Sequence, residues 1–187
     1  MNPRDFLRLV VEALDSSGIP HMLTGSFASS FHGTPRSTQD LDIVISPTRE
    51  GLEKLLTAFP AGSYLDRDTA FEALDRKGMF NLVEPKAGWK ADFIILKGRP
   101  FSQKEFARRR NAVVFGVPVS IVSPEDLVLA KLEWAAESGS HRQVEDAAGV
   151  MRAKELELDK EYLNSWVGKL GLEPEWAKAC KAAGWPA

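Results

Sequence analysis

Apolar residues along the chain change their spacing several times, and each change marks an element. Phe6, Leu9, Val10, Ala13 and Leu14 recur every three or four positions, the spacing that puts side chains on one face of a helix. Asn2-Pro3 suits the start of that helix, with Asp5 in its first turn, and Gly18 suits its end. The pattern then predicts a short strand over 21–24, a helix over 26–32 closed by Gly33, and a strand over 40–45. Ser46-Pro47 opens the next helix, which buries Leu52, Leu55, Leu56 and Phe59. Residues 60–67 read as loop and 68–76 as a short helix. Strands over 79–83 and 89–96 flank a turn containing Pro85 and Gly88. Ser102 and Glu105 have capping-box spacing, which predicts a helix over 102–110. Residues 111–115 and 117–122 give one or two further strands.

Past Ser123 the pattern changes. Ser123-Pro124 opens a helix running to Glu137, and helices over 142–151, 160–170 and 174–181 follow. Strands alternate with helices up to residue 122 and helices alone come after it. The expected organisation is therefore a sheet domain over 1–122 and a helical region over 123–187 packed on it, an α+β fold.

Composition narrows the class. The chain has 187 residues, 44% of them hydrophobic, enough for a sizeable core. The single cysteine, Cys180, leaves no internal disulfide framework and fits a reducing cytosol. Met1-Asn2-Pro3 runs into a charged amphipathic segment rather than a signal peptide. No apolar run reaches the roughly 18–20 residues a membrane-spanning helix needs. A cytoplasmic protein without a membrane partner is expected. The formal net charge is only −2, yet residues 97–110 hold six bases (Lys97, Arg99, Lys104, Arg108, Arg109, Arg110) and one acid, Glu105. That segment is either a solvated helix face or a patch for phosphates.

The candidate chemistry lies in residues 24–45, TGSFASSFHGTPRSTQDLDIVI. Asp40 and Asp42 stand two apart in a strand, so both carboxylates project from one face. Like charges held that close require a cation. Gly25-Ser26 sits at a strand-to-helix turn, where glycine lets backbone approach a phosphate and free N–H groups attract it. Paired carboxylates beside such a turn suit divalent-metal chemistry on a nucleotide. Asp92, in the apolar run Ala91, Phe93, Ile94, Ile95, is a candidate third carboxylate or a strand-edge acid paired with Lys90. Lys131 falls among Leu127, Val128, Trp134 and Ala135 at helical spacing, while Asp126, Glu133 and Glu137 form the polar face. A lysine there snorkels or meets an anion. Arg142 and Asp146 have the i, i+4 spacing of a helix ion pair. There is no Gly-x-x-x-x-Gly-Lys or Gly-x-Gly-x-x-Gly loop and no Gly-x-Ser-x-Gly elbow. His21, His32 and His141 lack zinc-ligand spacing.

Gly25-Ser26 followed by Arg36-x-Thr38-x-Asp40-x-Asp42, with Asp92 on a later strand, resembles the nucleotidyltransferase superfamily with its polymerase-beta-like fold. Within it, Pro124-Glu125-Asp126-Leu127 followed by Lys131 is similar to the AbiEii-like bacterial nucleotidyltransferases, many of them toxins of toxin–antitoxin pairs. The resemblance covers roughly residues 20–150. It implies a mixed sheet with flanking helices. It implies Mg²⁺, two ions, on Asp40, Asp42 and Asp92, and an NTP held by Gly25, Ser26, Arg36, Thr38 and Lys131. It gives Lys131 and an acid matching Asp146 a part in activity, with neighbouring Glu145 leaving that register open. The implied reaction moves a nucleoside monophosphate from the NTP to a hydroxyl, on a tRNA or other RNA, a protein, or a small molecule such as an antibiotic. A cognate antitoxin is an implied partner. The competing expectation is a non-catalytic nucleotide- or nucleic-acid-binding module.

Overall fold

The structure is a computed structural model and describes residues 1–35 and 37–186. Among the described residues the elements run α1 (Pro3–Ser16), β1 (His21–Thr24), α2 (Gly25–His32), β2 (Asp40–Ile45), α3 (Arg49–Thr57), β3 (Tyr64–Leu65), α4 (Arg67–Arg76), β4 (Met79–Glu84) and β5 (Trp89–Ile95). Then come α5 (Pro100–Ala107), β6 (Arg110–Val114), β7 (Val117–Ile121), α6 (Pro124–Ser138), α7 (His141–Ala153), α8 (Lys160–Leu170) and α9 (Glu173–Ala183). The fold is α+β, with a mixed seven-stranded sheet in the order β3-β4-β5-β2-β1-β7-β6. β2 pairs parallel with β5, and β1 pairs parallel with β7. The other neighbours are antiparallel.

The chain forms two compact units. The sheet unit comprises Met1–Phe27 and Ser37–Ile121, and the helical unit comprises Ala28–Arg36 and Val122–Ala187. The division therefore passes through α2.

In the sheet unit, β2 shows why the acids and the core share one strand. Leu41, Ile43 and Ile45 are buried on one face, while Asp40 is exposed and Asp42 half-buried on the other. Ala91, Phe93 and Ile95 of β5 lie beside Leu41, Ile43 and Ile45, so two strands bury a common apolar face. Phe80 and Phe93 meet at 5.1 Å between ring centres, and Phe6 stacks on Trp89 at 5.5 Å. α1 starts where Asn2 accepts a hydrogen bond from the Asp5 N–H and ends before Gly18, whose φ is +65°.

Some local expectations are corrected. Ser102 and Glu105 do not cap α5. Pro100 begins the helix two residues earlier, Ser102 Oγ accepts from Arg99 Nε at 2.8 Å, and Glu105 is buried. Thr48, rather than Ser46, caps α3, its hydroxyl accepting from the Gly51 N–H at 3.0 Å. The expected loop over 60–67 contains β3, a two-residue strand pairing with Leu82 and Val83.

In the helical unit, α6 is buried on more faces than its pattern suggests. Asp126, expected on the polar face, is fully buried: its N–H and carboxylate both meet Ser123 Oγ, and the Tyr162 hydroxyl donates to its other oxygen. Trp134, expected on the packed face, is 55% exposed. His32 Nε2 donates to the Val122 carbonyl at 2.8 Å, tying the end of α2 to the start of the helical run. No helix among the described residues is long and apolar enough to cross a membrane.

Candidate functional site

The pairing register of the sheet assembles the acidic cluster. Asp42 of β2 lies directly beside Asp92 of β5, and Asp40 lies beside Lys90. On the outer sides Asp42 is level with Thr24 of β1, and Asp92 is level with Asn81 of β4. A polar row, Thr24, Asp42, Asp92, Asn81, therefore crosses four strands on the face opposite the Ile43–Phe93 pair. Parallel neighbours stand about 4.8 Å apart, so the Asp42 and Asp92 side chains rise side by side. A separation of 50 residues in sequence is closed by one strand pairing.

Burial increases along this set: Asp40 is exposed, Asp42 half-buried and Asp92 only 8% exposed. One Asp92 oxygen, Oδ2, accepts from Lys90 Nζ at 2.8 Å. The other, Oδ1, is buried with no hydrogen-bond partner. Bonding to Asp92 holds the Lys90 ammonium above its usual range despite partial burial, and Asp40 and Asp42 add to the field.

Gly25 adjoins this cluster. Its φ is +62°, and a β-carbon there would stand 1.9 Å from Asp42 Oδ2. Only glycine satisfies both the left-handed backbone and the contact. The Ser26 N–H donates to the same oxygen at 3.3 Å, so Asp42 reaches the N-terminus of α2. Thr38 serves the approach to β2, its hydroxyl accepting from the Asp40 N–H at 3.2 Å. Arg36, expected to bind nucleotide, lies outside the described residues.

Among the described residues no three His, Cys, Asp or Glu side chains are gathered tightly enough to hold a metal ion in this arrangement. Charges in the cluster are instead compensated from within, Asp92 by Lys90 and Asp42 by the start of α2. The donor set nevertheless suits a divalent ion. Three carboxylates rise from one sheet face, and one buried oxygen of Asp92 is without a partner.

The helical unit carries a second polar cluster. Lys131 Nζ meets Asp146 Oδ2 at 3.0 Å, with the two side chains 6% and 11% exposed. The lysine does not snorkel, and it meets a carboxylate of α7. The sequence pairs Asp146 with Arg142, but Arg142 is exposed and the buried partner is Lys131 from the preceding helix. Glu145 is exposed, and Asp146 is the acid that meets the lysine. A pocket of about 240 Å³ adjoins it, lined by Ser29, Thr34, Glu145, Asp146, Gly149 and Arg152. Gly33 and Gly149 bring its walls close: a β-carbon on Gly33 would stand 2.9 Å from the Val150 nitrogen, and one on Gly149 3.3 Å from Thr34 Oγ1. Apart from Asp146 and its neighbour Glu145, sequence reasoning missed this pocket. Its residues come from α2, the following turn and α7, and no spacing rule connects them.

The basic segment 97–110 is partly engaged in local structure. Arg109 lies over the Phe106 ring at 4.2 Å and donates to the Phe106 carbonyl, and Arg99 lies near Phe101. Lys97 and Lys104 are exposed.

No protein-family model matches the sequence, and no curated protein matches it. Its backbone does have solved counterparts, and the fold they define is nucleotidyltransferase-like. A nucleotidyltransferase-like antigenic protein from Paracoccidioides brasiliensis superposes with a TM-score of 0.53 at 20% identity, covering 93% of this chain and 90% of that one. The antibiotic-resistance factor ANT(2'')-Ia in solution gives 0.51 at 15% identity, covering 94% and 88%.

Proposed function

We propose that this protein is a metal-dependent nucleotidyltransferase that moves a nucleoside monophosphate from an NTP to a hydroxyl acceptor. The observation that carries the reading is the side-by-side placement of Asp42 and Asp92, with Asp40 on the same face and the Gly25-Ser26 turn against Asp42. Asp40, Asp42 and Asp92 would hold a divalent ion, which supplies charge neutralisation for the triphosphate and acidifies the attacking hydroxyl. The buried oxygen of Asp92 that lacks a partner is the atom that would face the ion. Were Asp42 to hold an ion, the Ser26 N–H that now donates to it would be available to a phosphate. Gly25 keeps that approach clear. For the helical unit, the resemblance to AbiEii-like proteins assigns Lys131 and Asp146 a part in activity.

RNA is the acceptor class best supported by charge, because exposed Lys97 and Lys104 belong to the strongly basic stretch that follows the Asp92 strand. A toxin role with a cognate antitoxin rests on the AbiEii-like resemblance alone. The competing reading is a non-catalytic nucleotide-binding module, favoured by the internal compensation of Asp92 by Lys90.

The test is incubation with each labelled NTP, Mg²⁺ and total tRNA or lysate, comparing the native chain with Asp42→Asn. Transfer is expected from the native chain and absent from the variant, at an unchanged thermal midpoint. Equal transfer by both proteins would end the carboxylate-site reading. Nucleotide binding without transfer would favour the binding module.

A further inference from the structure

Among the described residues, Lys90 is the one charged side chain of the cluster that the proposed reaction leaves without a role. It stands beside Asp40 in the register and reaches Asp92 Oδ2 at 2.8 Å. Asp40, Asp42, Asp92 and Lys90 all project from one sheet face, since they alternate with Leu41 and Ala91 of the core.

The two oxygens of Asp92 are treated differently. Oδ2 is taken by the ammonium, and Oδ1 is buried and without a partner. A Mg²⁺ ion binds carboxylate oxygen at about 2.1 Å and shares it poorly with a second cation of like charge at hydrogen-bond distance. Lys90 thus occupies one cation position of the carboxylate group and leaves the other open. The pair is unequally exposed, with the Lys90 side chain 37% accessible and that of Asp92 12%.

We propose that Lys90 takes the place of the second metal ion, so that the carboxylate cluster accepts one divalent ion per chain rather than two. This deepens the metal-dependent reading above and rests on it. Lys90 is a positioning residue, orienting Asp92 so that Oδ1 faces the ion.

The test is a Mn²⁺ titration of the full chain without nucleotide, read from the free-ion electron paramagnetic resonance signal. The native chain is expected to bind one ion and Lys90→Met two. Lys90→Arg, which retains the charge, is expected to return the count to one. Circular dichroism melts establish that each variant is folded, and Lys90→Gln replaces the methionine variant if that one is not. Two ions bound with Lys90 in place, or one ion in both native and Lys90→Met proteins, would overturn the lysine's role while leaving the metal site standing. No ion bound by any folded form would remove the metal-dependent reading itself, and the lysine's role with it.

Discussion

Gly25 is constrained twice, by its left-handed backbone and by the Asp42 carboxylate packed where a side chain would begin. Gly25→Ala therefore costs about 1–2 kcal/mol for backbone conformation alone and displaces Asp42 from the Ser26 N–H. The expected outcome is a lowered thermal midpoint together with loss of nucleotidyl transfer. Calorimetry beside the transfer assay checks both, and a variant of native stability and activity would show that Asp42 need not hold its observed position. Asp92 makes the complementary point. Its side chain was legible as an acid in an apolar strand, but the split between a paired and an unpaired oxygen depends on where Lys90 Nζ sits.

At the scale of elements, the joint between α6 and α7 is fastened by a buried ion pair. The sequence marked Lys131 as a cation on a packed face, and α7 supplies the anion. Lys131→Met removes the buried cation that meets Asp146 and is expected to cost about 1.5–3 kcal/mol. Adding Asp146→Asn removes the other charge of the pair and should recover part of the loss. Chemical denaturation of both single variants and the double variant measures the coupling. The same double variant separates structure from activity: stable but inactive protein supports the role implied by the family resemblance, whereas stable and active protein reduces the pair to a fastening. The buried Ser123–Asp126–Tyr162 set shows the opposite failure of pattern reading. An acid near a helix start reads as solvent-facing, yet a tyrosine 36 residues on closes over it.

For the whole molecule, Cys180 of α9 offers a reporter of opening. It is 2% exposed, and burial pushes its thiol above the ordinary range. Alkylation by iodoacetamide at pH 8 is expected to be at least ~100-fold slower in the native chain than in denaturant. Rapid native labelling would place α9 among readily opening segments. The sign of the pH dependence follows from the same burial. The unfolded chain releases this proton from about pH 8.5 upward, and the native chain holds it to higher pH. The contribution is complete below that window and is lost as pH rises through it, so the denaturation midpoint falls on the alkaline side.

Sequence by itself determined that strands alternate with helices as far as β7 and that helices follow, and it singled out the three acids that the sheet gathers. Period-two alternation in 40–45 separates Asp40 and Asp42 from Leu41 and Ile43, and period-three-to-four spacing gives the amphipathic helices. These are local properties, set by backbone geometry within a few residues. Tertiary structure alone decided which strands become neighbours, and so which acids meet. Pairing of β2 with β5 brings Asp92 to Asp42, and close packing at Gly33 and Gly149 forms a pocket from segments over 100 residues apart in the chain. The partner choices of Lys90 and Lys131 belong to the same level. A charge's sign is written in the sequence, but its partner depends on long-range packing and desolvation, which no local spacing encodes.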